Sequence, residues 1–206
     1  KSNYAYAVDA QDYNIPALIQ DMQNEKVVAS SAFKPFQASD GTSFAYGSLV
    51  IPVTLQTHTE DQLFEILNRL QEKHQVQIHS LSSGFSSKGI DLGSRYIKPI
   101  KKPKAVMIIG NGTRSYEAGE VWHLLDTRVG MPITKIHQYR FSSLDLNQYN
   151  TLVLVSGTYK WDESMVSKLK NWTAKGNTII AIGTANKALI KHKIINEKQI
   201  KKEKDS

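Results

Sequence analysis

The sequence predicts an α/β fold in which a mostly parallel sheet carries helices on both faces, preceded by a smaller α/β half. Short apolar runs of strand length alternate with amphipathic helical segments along the chain. In the second half these runs are continuously apolar and rich in β-branched residues, as in parallel strands that are buried on both sides. None of the 206 residues falls in an apolar run near the ~20 residues that a membrane-spanning helix needs, so no membrane span is expected.

Residues 1–100 are expected to form the first half, an α/β unit that packs on the second. Its first helix has Asn14 as N-cap, and its apolar positions from Ile15 to Met22 follow helical spacing. Its second helix begins at Thr59, where Gln62 completes a capping box. The other predicted elements are strands at 4–8, 27–33 and 76–81, a turn at 40–41, an extended segment at 44–53 and a Ser/Gly loop at 82–89.

Residues 101–192 are expected to form the second half, after a connector rich in proline and lysine at 97–103. Strands are predicted at 105–109, 133–141, 152–155 and 178–182, and helices at 116–128 and 163–174. Helical phase places Trp122 and Trp172 toward the core. Residues 193–206 form a basic tail that we expect to be frayed. Ligands of open parallel sheets bind at the carboxyl ends of strands, so the loops after Ile109, Val155 and Ile182 are the candidate site.

Charge is distributed unevenly along the chain. Residues 1–100 have 8 Lys and Arg against 10 Asp and Glu, whereas residues 101–206 have 18 against 9. Without the last twenty residues, residues 101–186 have 11 Lys and Arg against 6 Asp and Glu, so they form a mildly basic lobe that suits an acidic partner face. We see no basic stripe interleaved with aromatic residues, so nucleic acid is not expected as a partner. The absence of cysteine excludes disulfides, thiolate nucleophiles and iron–sulfur ligation.

Three loops supply the candidate binding residues. The segment 110–115 places glycines between a strand and a helix, where backbone N–H groups can meet an anion, but Ser115 replaces the third glycine of a dinucleotide-binding loop. A tight turn followed by Ser115 as helix cap is the expected structure. Tyr159 and Trp161, if exposed, would suit contact with a peptide or a sugar. The candidate pocket comprises Gly110, Asn111, Gly112, Thr113, Ser115, Tyr116, Glu120, Ser156, Gly157, Tyr159, Trp161, Gly183 and Thr184.

No catalytic or metal-binding residue is predicted. The sequence contains no GxSxG elbow, no Walker loop and no HExxH zinc motif. Acidic and histidine side chains recur every three residues from Glu117 to Asp126, a pattern typical of a solvated helix face. A third interpretation stays open, in which a free-standing hydrolase uses Ser156 with Asp126 and either His123 or His137.

A longer resemblance covers about residues 4–190. The run from Lys101 to Asp126, with Gly119-Glu-Val-Trp122 as its most specific part, resembles the segment after the peptidase domain of large bacterial zinc carboxypeptidases of the carboxypeptidase A-like superfamily. Further matches lie at 131–134, 145–149, 169–172 and 176–183, and upstream at 4–8 and 47–52. That segment is similar to the class I glutamine amidotransferase fold, which is flavodoxin-like.

The positions at which this chain differs from the family decide which function the resemblance implies. Amidotransferases of this fold carry a nucleophilic cysteine on the turn after the strand that matches 178–182, but here the turn is Gly183-Thr-Ala185. The chain also lacks the family's His-x-x-Glu zinc pair. The resemblance therefore implies that the zinc belongs to a peptidase domain absent from this sequence, and no cofactor is expected in this chain. The implied function is an ancillary domain, without chemistry, of a secreted or periplasmic zinc metallocarboxypeptidase, whose peptidase domain is its partner. The alternative is a module that binds a small molecule, a sugar or a peptide at the strand ends.

Overall fold

The computed structural model describes residues 1–199 and shows a mixed α/β chain that divides into two compact units. The first unit comprises residues 1–102 and 129–131, and the second comprises residues 103–128 and the chain from residue 132 onward. Part of the predicted basic tail, residues 200–206, lies outside the described residues. In the described part of that segment, Ile194 and Ile195 pack against the core of the second unit.

The first unit contains eight strands, which are β1 (Ala5–Val8), β2 (Ser30–Ala32), β3 (Phe36–Gln37), β4 (Ser43–Phe44), β5 (Leu49–Pro52), β6 (His79–Leu81), β7 (Lys88–Gly89) and β8 (Ile97–Pro99). Five of them form an antiparallel sheet with the strand order β6-β1-β5-β2-β8. The other three form a smaller antiparallel sheet with the order β4-β3-β7. The predicted strands at 27–33 and 76–81 are therefore shorter than expected. The extended segment at 44–53 is interrupted by a turn at Gly47, where φ is +93°.

Two helices, α1 (Ile15–Asn24) and α2 (Glu60–His74), cover one face of the larger sheet. The capping box of α2 is confirmed, because Thr59 Oγ1 accepts from the Gln62 N–H at 3.2 Å and Gln62 Oε1 accepts from the Thr59 N–H at 3.0 Å. Asn14 occupies the N-cap position of α1 but makes no capping bond with its side chain. Its amide instead donates to the His74 carbonyl at 2.8 Å, which ties the two helices together.

The two helices are also joined through a carboxylate. Asp21 on α1 accepts a hydrogen bond from Lys73 Nζ at 2.7 Å and lies 2.8 Å from His74 Nε2. Burial raises the pKa of Asp21, but the hydrogen bonds from Lys73 and His74 outweigh it and hold the pKa below the ordinary value. The charged form of Asp21 therefore stabilises the packing of α1 on α2.

The second unit contains the predicted parallel sheet. Its strands are β9 (Ala105–Ile109), β10 (Thr134–His137), β11 (Thr151–Leu154) and β12 (Thr178–Ala181), in the order β10-β9-β11-β12. Because the chain moves from β9 out to β10 and then returns to β11 on the other side of β9, a topological switch point lies between β9 and β11. The strand predicted at 133–141 is shorter because a 3₁₀ turn, Gln138–Arg140, follows β10.

Helices lie on both faces of this sheet. The helices α4 (Glu163–Ala174) and α5 (Ala185–Lys191) pack on the face that contains Val106 and Leu152. Helix α3 (Ser115–His123) follows β9 and contacts it. The prediction for Trp172 is confirmed, since this side chain is buried and its Nε1 donates to the Leu146 carbonyl at 2.8 Å.

The prediction for Trp122 is wrong. Its side chain is 44% exposed, and Lys135 Nζ lies 3.7 Å from the ring centroid. Trp122 lies beside Lys135 on β10, the edge strand of the sheet, so the sheet ends beneath its ring. The α-helix ends at His123 and continues as a π-helix over Leu124–Val129. The Thr127 hydroxyl donates to the His123 carbonyl where this change occurs. None of the helices among residues 1–199 combines the length and the apolar character required to cross a membrane.

Candidate functional site

The first candidate loop follows β9 and turns sharply before α3. Gly110 and Gly112 have φ angles of +95° and +92°, in the left-handed region that favours glycine. Thr113 closes the turn, because its backbone N–H and its hydroxyl donate to the Gly110 carbonyl at 3.0 and 2.8 Å. The predicted tight turn is confirmed, and it leaves no free N–H at Thr113 for an anion.

Ser115 does not cap helix α3. It is the first residue of the helix, and Arg114 holds the N-cap position without a capping bond from its side chain. The Arg114 N–H instead donates to the Ser156 carbonyl at 2.8 Å. The prediction is wrong because the helix starts one residue earlier than expected and is anchored by the neighbouring loop.

The second candidate loop, after β11, is joined to the first by backbone hydrogen bonds. Thr113 and Gly157 form an isolated antiparallel bridge, and the Thr158 N–H donates to the Gly112 carbonyl at 2.8 Å. A Cβ on Gly157 would lie 2.5 Å from the Gly112 carbonyl oxygen, so only glycine allows the loops to approach this closely. These bonds close the crevice at the switch point between β9 and β11.

Glu117 on α3 reinforces this junction, and it was not among the predicted site residues. Its Oε2 accepts from the Ser156 N–H at 2.8 Å. The hydrogen bonds from the Ser156 backbone and hydroxyl lower the pKa of Glu117, and the Arg114 guanidinium at 3.8 Å adds to the effect. The sequence signal was an acid in the first turn of a helix that follows a strand. Glu120, which was predicted instead, is exposed.

The third candidate loop is the turn between β12 and α5. Gly183 has a φ of +54°, and a Cβ at this position would lie 2.2 Å from Ser156 Oγ. The Thr184 N–H donates to Ser156 Oγ at 3.1 Å, and Thr184 Oγ1 accepts from the Gly157 N–H at 2.9 Å. Ser156 and Thr184 thus link the two turns reciprocally, and the Ser156 hydroxyl occupies the space that a side chain on Gly183 would need.

The histidines proposed for a hydrolase do not meet the Ser156 hydroxyl. The His123 ring contacts the Thr127 hydroxyl at 3.4 Å, and the His137 ring stacks at a tilt against Tyr139 with 5.5 Å between centroids. No hydrogen bond joins either imidazole to Ser156 among residues 1–199. Within the same range, no three His, Asp or Glu side chains lie together in a group that could hold a metal ion.

Of the two rings whose exposure would suit contact with a peptide or a sugar, Tyr159 is buried and Trp161 is partly buried. Tyr159 is only 4% exposed, and its hydroxyl donates to the Val155 carbonyl at 2.6 Å. Burial, with a smaller contribution from the Glu117 charge, raises the pKa of the Tyr159 hydroxyl. The condition of exposure is therefore not met at Tyr159, because its ring turns into the core below the loop. Trp161 is partly buried and packs against Tyr159, with 5.5 Å between ring centroids.

A cleft of about 430 Å³ opens beside Trp161 at the carboxyl ends of β9, β10 and β11. Asn111 and Trp161 are the predicted residues that line it, and Tyr139, Lys160 and Gln138 were missed. The Gln138 amide bridges the loops after β9 and β11, since its Nε2 donates to the Asn111 and Thr158 carbonyls, each at 3.2 Å. Among the described residues, the buried Gln138 Oε1 and Trp161 Nε1 have no hydrogen-bond partner.

The remaining predicted residues lie elsewhere on the second unit. Gly110, Thr113 and Ser115 line a smaller, mainly apolar cavity of about 270 Å³, together with Trp122 and Lys135. Tyr116 is exposed and lines neither cavity. Most of the thirteen predicted residues therefore belong to a closed junction of three loops or to the rims of two cavities, whereas Tyr116 and Glu120 are exposed outside both cavities and Tyr159 is buried in the core.

Comparison with known proteins adds no family assignment. No protein-family model matches the chain, and no curated protein matches it significantly.

Proposed function

We propose that this chain is a non-catalytic domain of a larger zinc metallocarboxypeptidase. The observation that carries the proposal is the turn after β12. It has the strand, the left-handed residue and the helix of a nucleophile turn, but the residue is Gly183, and Ser156 Oγ occupies the place of its side chain. A cysteine here would displace the hydroxyl that joins this turn to the β11 loop, so the junction and a thiol nucleophile are incompatible.

The parent enzyme is proposed from the resemblance of the segment 101–126 and its later matches. In this proposal the zinc ligands belong to a separate peptidase domain, beside which the present chain packs and whose active site it shapes. A secreted or periplasmic location is part of the same proposal. The closed junction supports a role of this kind, because a rigid set of loops can position a neighbouring domain without undergoing chemistry itself.

The first test is an activity assay on the chain, with glutamine and with a short peptide bearing a free C-terminus as substrates, in the presence and absence of zinc. We expect no turnover under either condition. Turnover that Ser156→Ala or Thr184→Val abolishes would contradict the proposal. The coding region upstream of Lys1 supplies the second test: a zinc peptidase domain is expected there, and its absence would remove the proposed parent enzyme.

A second candidate function is ligand binding in the cleft beside Trp161. The specific observation in its favour is that two buried atoms, Gln138 Oε1 and Trp161 Nε1, have no hydrogen-bond partner among the described residues. Both atoms belong to residues that line the cleft. A buried polar atom without a partner costs about 1–3 kcal/mol, which a ligand or an ordered water would recover. The cleft is lined by aromatic rings, by amide groups and by one charge of each sign, on Lys160 and Asp162. Such a lining suits an uncharged sugar or a peptide.

This second function predicts a change in tryptophan fluorescence when glucose, N-acetylglucosamine or dialanine is added. Asn111→Ala and Tyr139→Ala should weaken the saturable change, since both side chains line the cleft. Tyr116→Ala is the matched control, because its ring is exposed and lies outside the cleft. No saturable change with any probe, or equal losses in all three variants, would refute binding at this site.

A further inference from the structure

One surface of the first unit combines three cations with three aromatic rings. It is formed by the end of β2, the turn before β5 and the segment that enters β8, which are far apart in the sequence but adjacent in the sheet. We call it the basic aromatic patch, and its members are Phe33, Lys34, Tyr46, Arg95, Tyr96 and Lys98.

The cations are held over ring faces. Lys34 Nζ lies 4.1 Å from the Tyr96 ring centroid, and the Arg95 guanidinium carbon lies 5.2 Å from the same centroid. Lys98 Nζ lies 5.0 Å from the centroid of Phe33. Cation–π contact restricts these long side chains and presents their charges in a fixed group, which reduces the entropy lost when an anion binds.

The positive charge of the patch has no neutralising partner in the part of the chain that the structure describes. Among residues 1–199, no carboxylate forms a salt bridge with Lys34, Arg95 or Lys98, although all three side chains are exposed. Residues 1–100 as a whole have 8 basic against 10 acidic side chains, so the patch is a local reversal of charge. A group of this kind attracts an anionic partner.

An apolar contact lies beside the charges. Phe33 and Tyr46 meet edge to face with 5.7 Å between ring centroids, and their side chains are 41% and 63% exposed. Large aromatic rings next to arginine are the composition typical of protein-binding hot spots. The combination favours a partner that offers carboxylates together with apolar side chains.

Two other modes of binding fit less well. Single-stranded nucleic acid requires free ring faces on which bases stack, whereas Phe33 and Tyr96 already hold cations over their rings. Addition of a strand to the edge strand β8 requires outward N–H groups. Pro99 has none, and the Ile97 N–H donates to the Ser94 carbonyl at 2.9 Å. Recognition must therefore use the side chains.

Lysine on an edge strand also prevents aggregation, which is an ordinary structural role. That role accounts for Lys98, which lies in β8. It does not account for Lys34 or Arg95, which lie outside the strands yet join the same group. The collection of all three cations around two aromatic rings indicates recognition.

We propose that the basic aromatic patch binds an acidic segment of a partner protein, in which Asp or Glu alternates with apolar residues. The carboxylates pair with Lys34, Arg95 and Lys98, and an apolar side chain packs on the Phe33–Tyr46 pair. This inference does not depend on the proposed function, because the patch belongs to the first unit and the candidate loops to the second.

The probe for the test is a short fluorescein-labelled peptide that alternates Glu with Leu, and its matched control replaces each Glu with Gln. Fluorescence anisotropy is measured with the full chain at low and at physiological salt. We expect the Glu peptide to bind, salt to weaken the binding, and the Gln peptide to bind at least about tenfold more weakly. The triple variant Lys34→Glu, Arg95→Glu, Lys98→Glu should abolish binding.

The matched control reverses three charges on exposed residues of the second unit, with the substitutions Lys170→Glu, Lys175→Glu and Lys187→Glu. It has the same change in net charge and should retain binding. Circular dichroism shows whether each variant is folded. If the reversed triple unfolds, the Gln triple at the same three positions replaces it. Equal losses in both triples, no binding by the wild type, or tighter binding of oligo-dT or heparin than of the Glu peptide would overturn the proposal.

Discussion

Replacing Gly183 with alanine tests the central geometric claim, that Ser156 fills the turn where a nucleophile would stand. The added methyl group meets two obstacles. The backbone has a φ of +54°, which residues with a Cβ rarely adopt, and the new Cβ would lie 2.2 Å from Ser156 Oγ. We therefore expect Gly183→Ala to destabilise the second unit through both effects.

The two contributions differ in origin and can be separated. The left-handed backbone costs about 1 kcal/mol for alanine relative to glycine. The steric overlap, relieved by displacement of the Ser156 hydroxyl, adds about 1–3 kcal/mol. Gly183→Ala should therefore lower the free energy of unfolding by about 2–4 kcal/mol. Gly176 is the matched control, since its φ is +87° and no atom lies within 4 Å of an added Cβ, so Gly176→Ala should cost only the backbone contribution.

Ser156→Ala supplies the other half of a double-mutant cycle. Alone it removes the acceptor of the Thr184 N–H and should cost about 1 kcal/mol. Combined with Gly183→Ala it removes the overlap, because the Ser156 Cβ lies 3.6 Å from the added methyl group. The double variant should therefore be more stable than the sum of the single effects predicts, by about 1–3 kcal/mol.

Guanidinium unfolding followed by tryptophan fluorescence measures these free energies. It reports on the second structural unit, because Trp122, Trp161 and Trp172 all belong to that unit. Either of two results would contradict the claim that Ser156 Oγ fills the turn. One is that Gly183→Ala costs no more than Gly176→Ala. The other is that the effects of Gly183→Ala and Ser156→Ala are additive, since the hydroxyl would then not occupy the turn.

Three further predictions concern single contacts. Tyr159→Phe removes the buried hydroxyl that donates to the Val155 carbonyl and should cost about 1–2 kcal/mol in the same fluorescence assay; an unchanged midpoint would show that this bond contributes nothing. Thr59→Ala breaks the capping box of α2 and should cost about 1 kcal/mol by circular dichroism, whereas the exposed Thr57→Ala should have no effect. The pKa of Asp21 lies below its ordinary value of 3.8, so its stabilising contribution is complete above that pH and is lost as the pH falls through the lower folded-state pKa. Asp21→Asn should remove this loss of unfolding free energy at low pH. The same pH profile of stability in the variant and the wild type would contradict a stabilising role of the Asp21 charge.

Elements whose signals are local were predicted well. The bounds of β9 and α4 match the expected 105–109 and 163–174, since apolar runs and helical spacing are properties of neighbouring residues. The capping box at Thr59 was found for the same reason. Predictions failed where a distant contact decides the structure, as for Trp122, which lies against Lys135 of the edge strand β10 and is therefore only partly covered.

The candidate loops were located correctly as strand ends, but their contacts could not be derived from spacing. Glu117 was passed over in favour of Glu120, because both are acids on one helix and only the position of the β11 loop selects between them. The exposure of Tyr159 could not be decided from the sequence, because nothing near it indicates that its hydroxyl donates to the Val155 carbonyl.

The α/β class, the parallel sheet of the second unit and the glycine at the turn after β12 follow from the order of the amino acids alone. Three-dimensional contacts were needed to show that Ser156 Oγ fills that turn and that Lys34, Arg95 and Lys98 gather around aromatic rings. The difference lies in the range of the interactions. Backbone conformation and hydrophobic periodicity are set within a few residues, whereas a hydroxyl in a turn or a group of charges requires strands from separate parts of the chain to lie side by side.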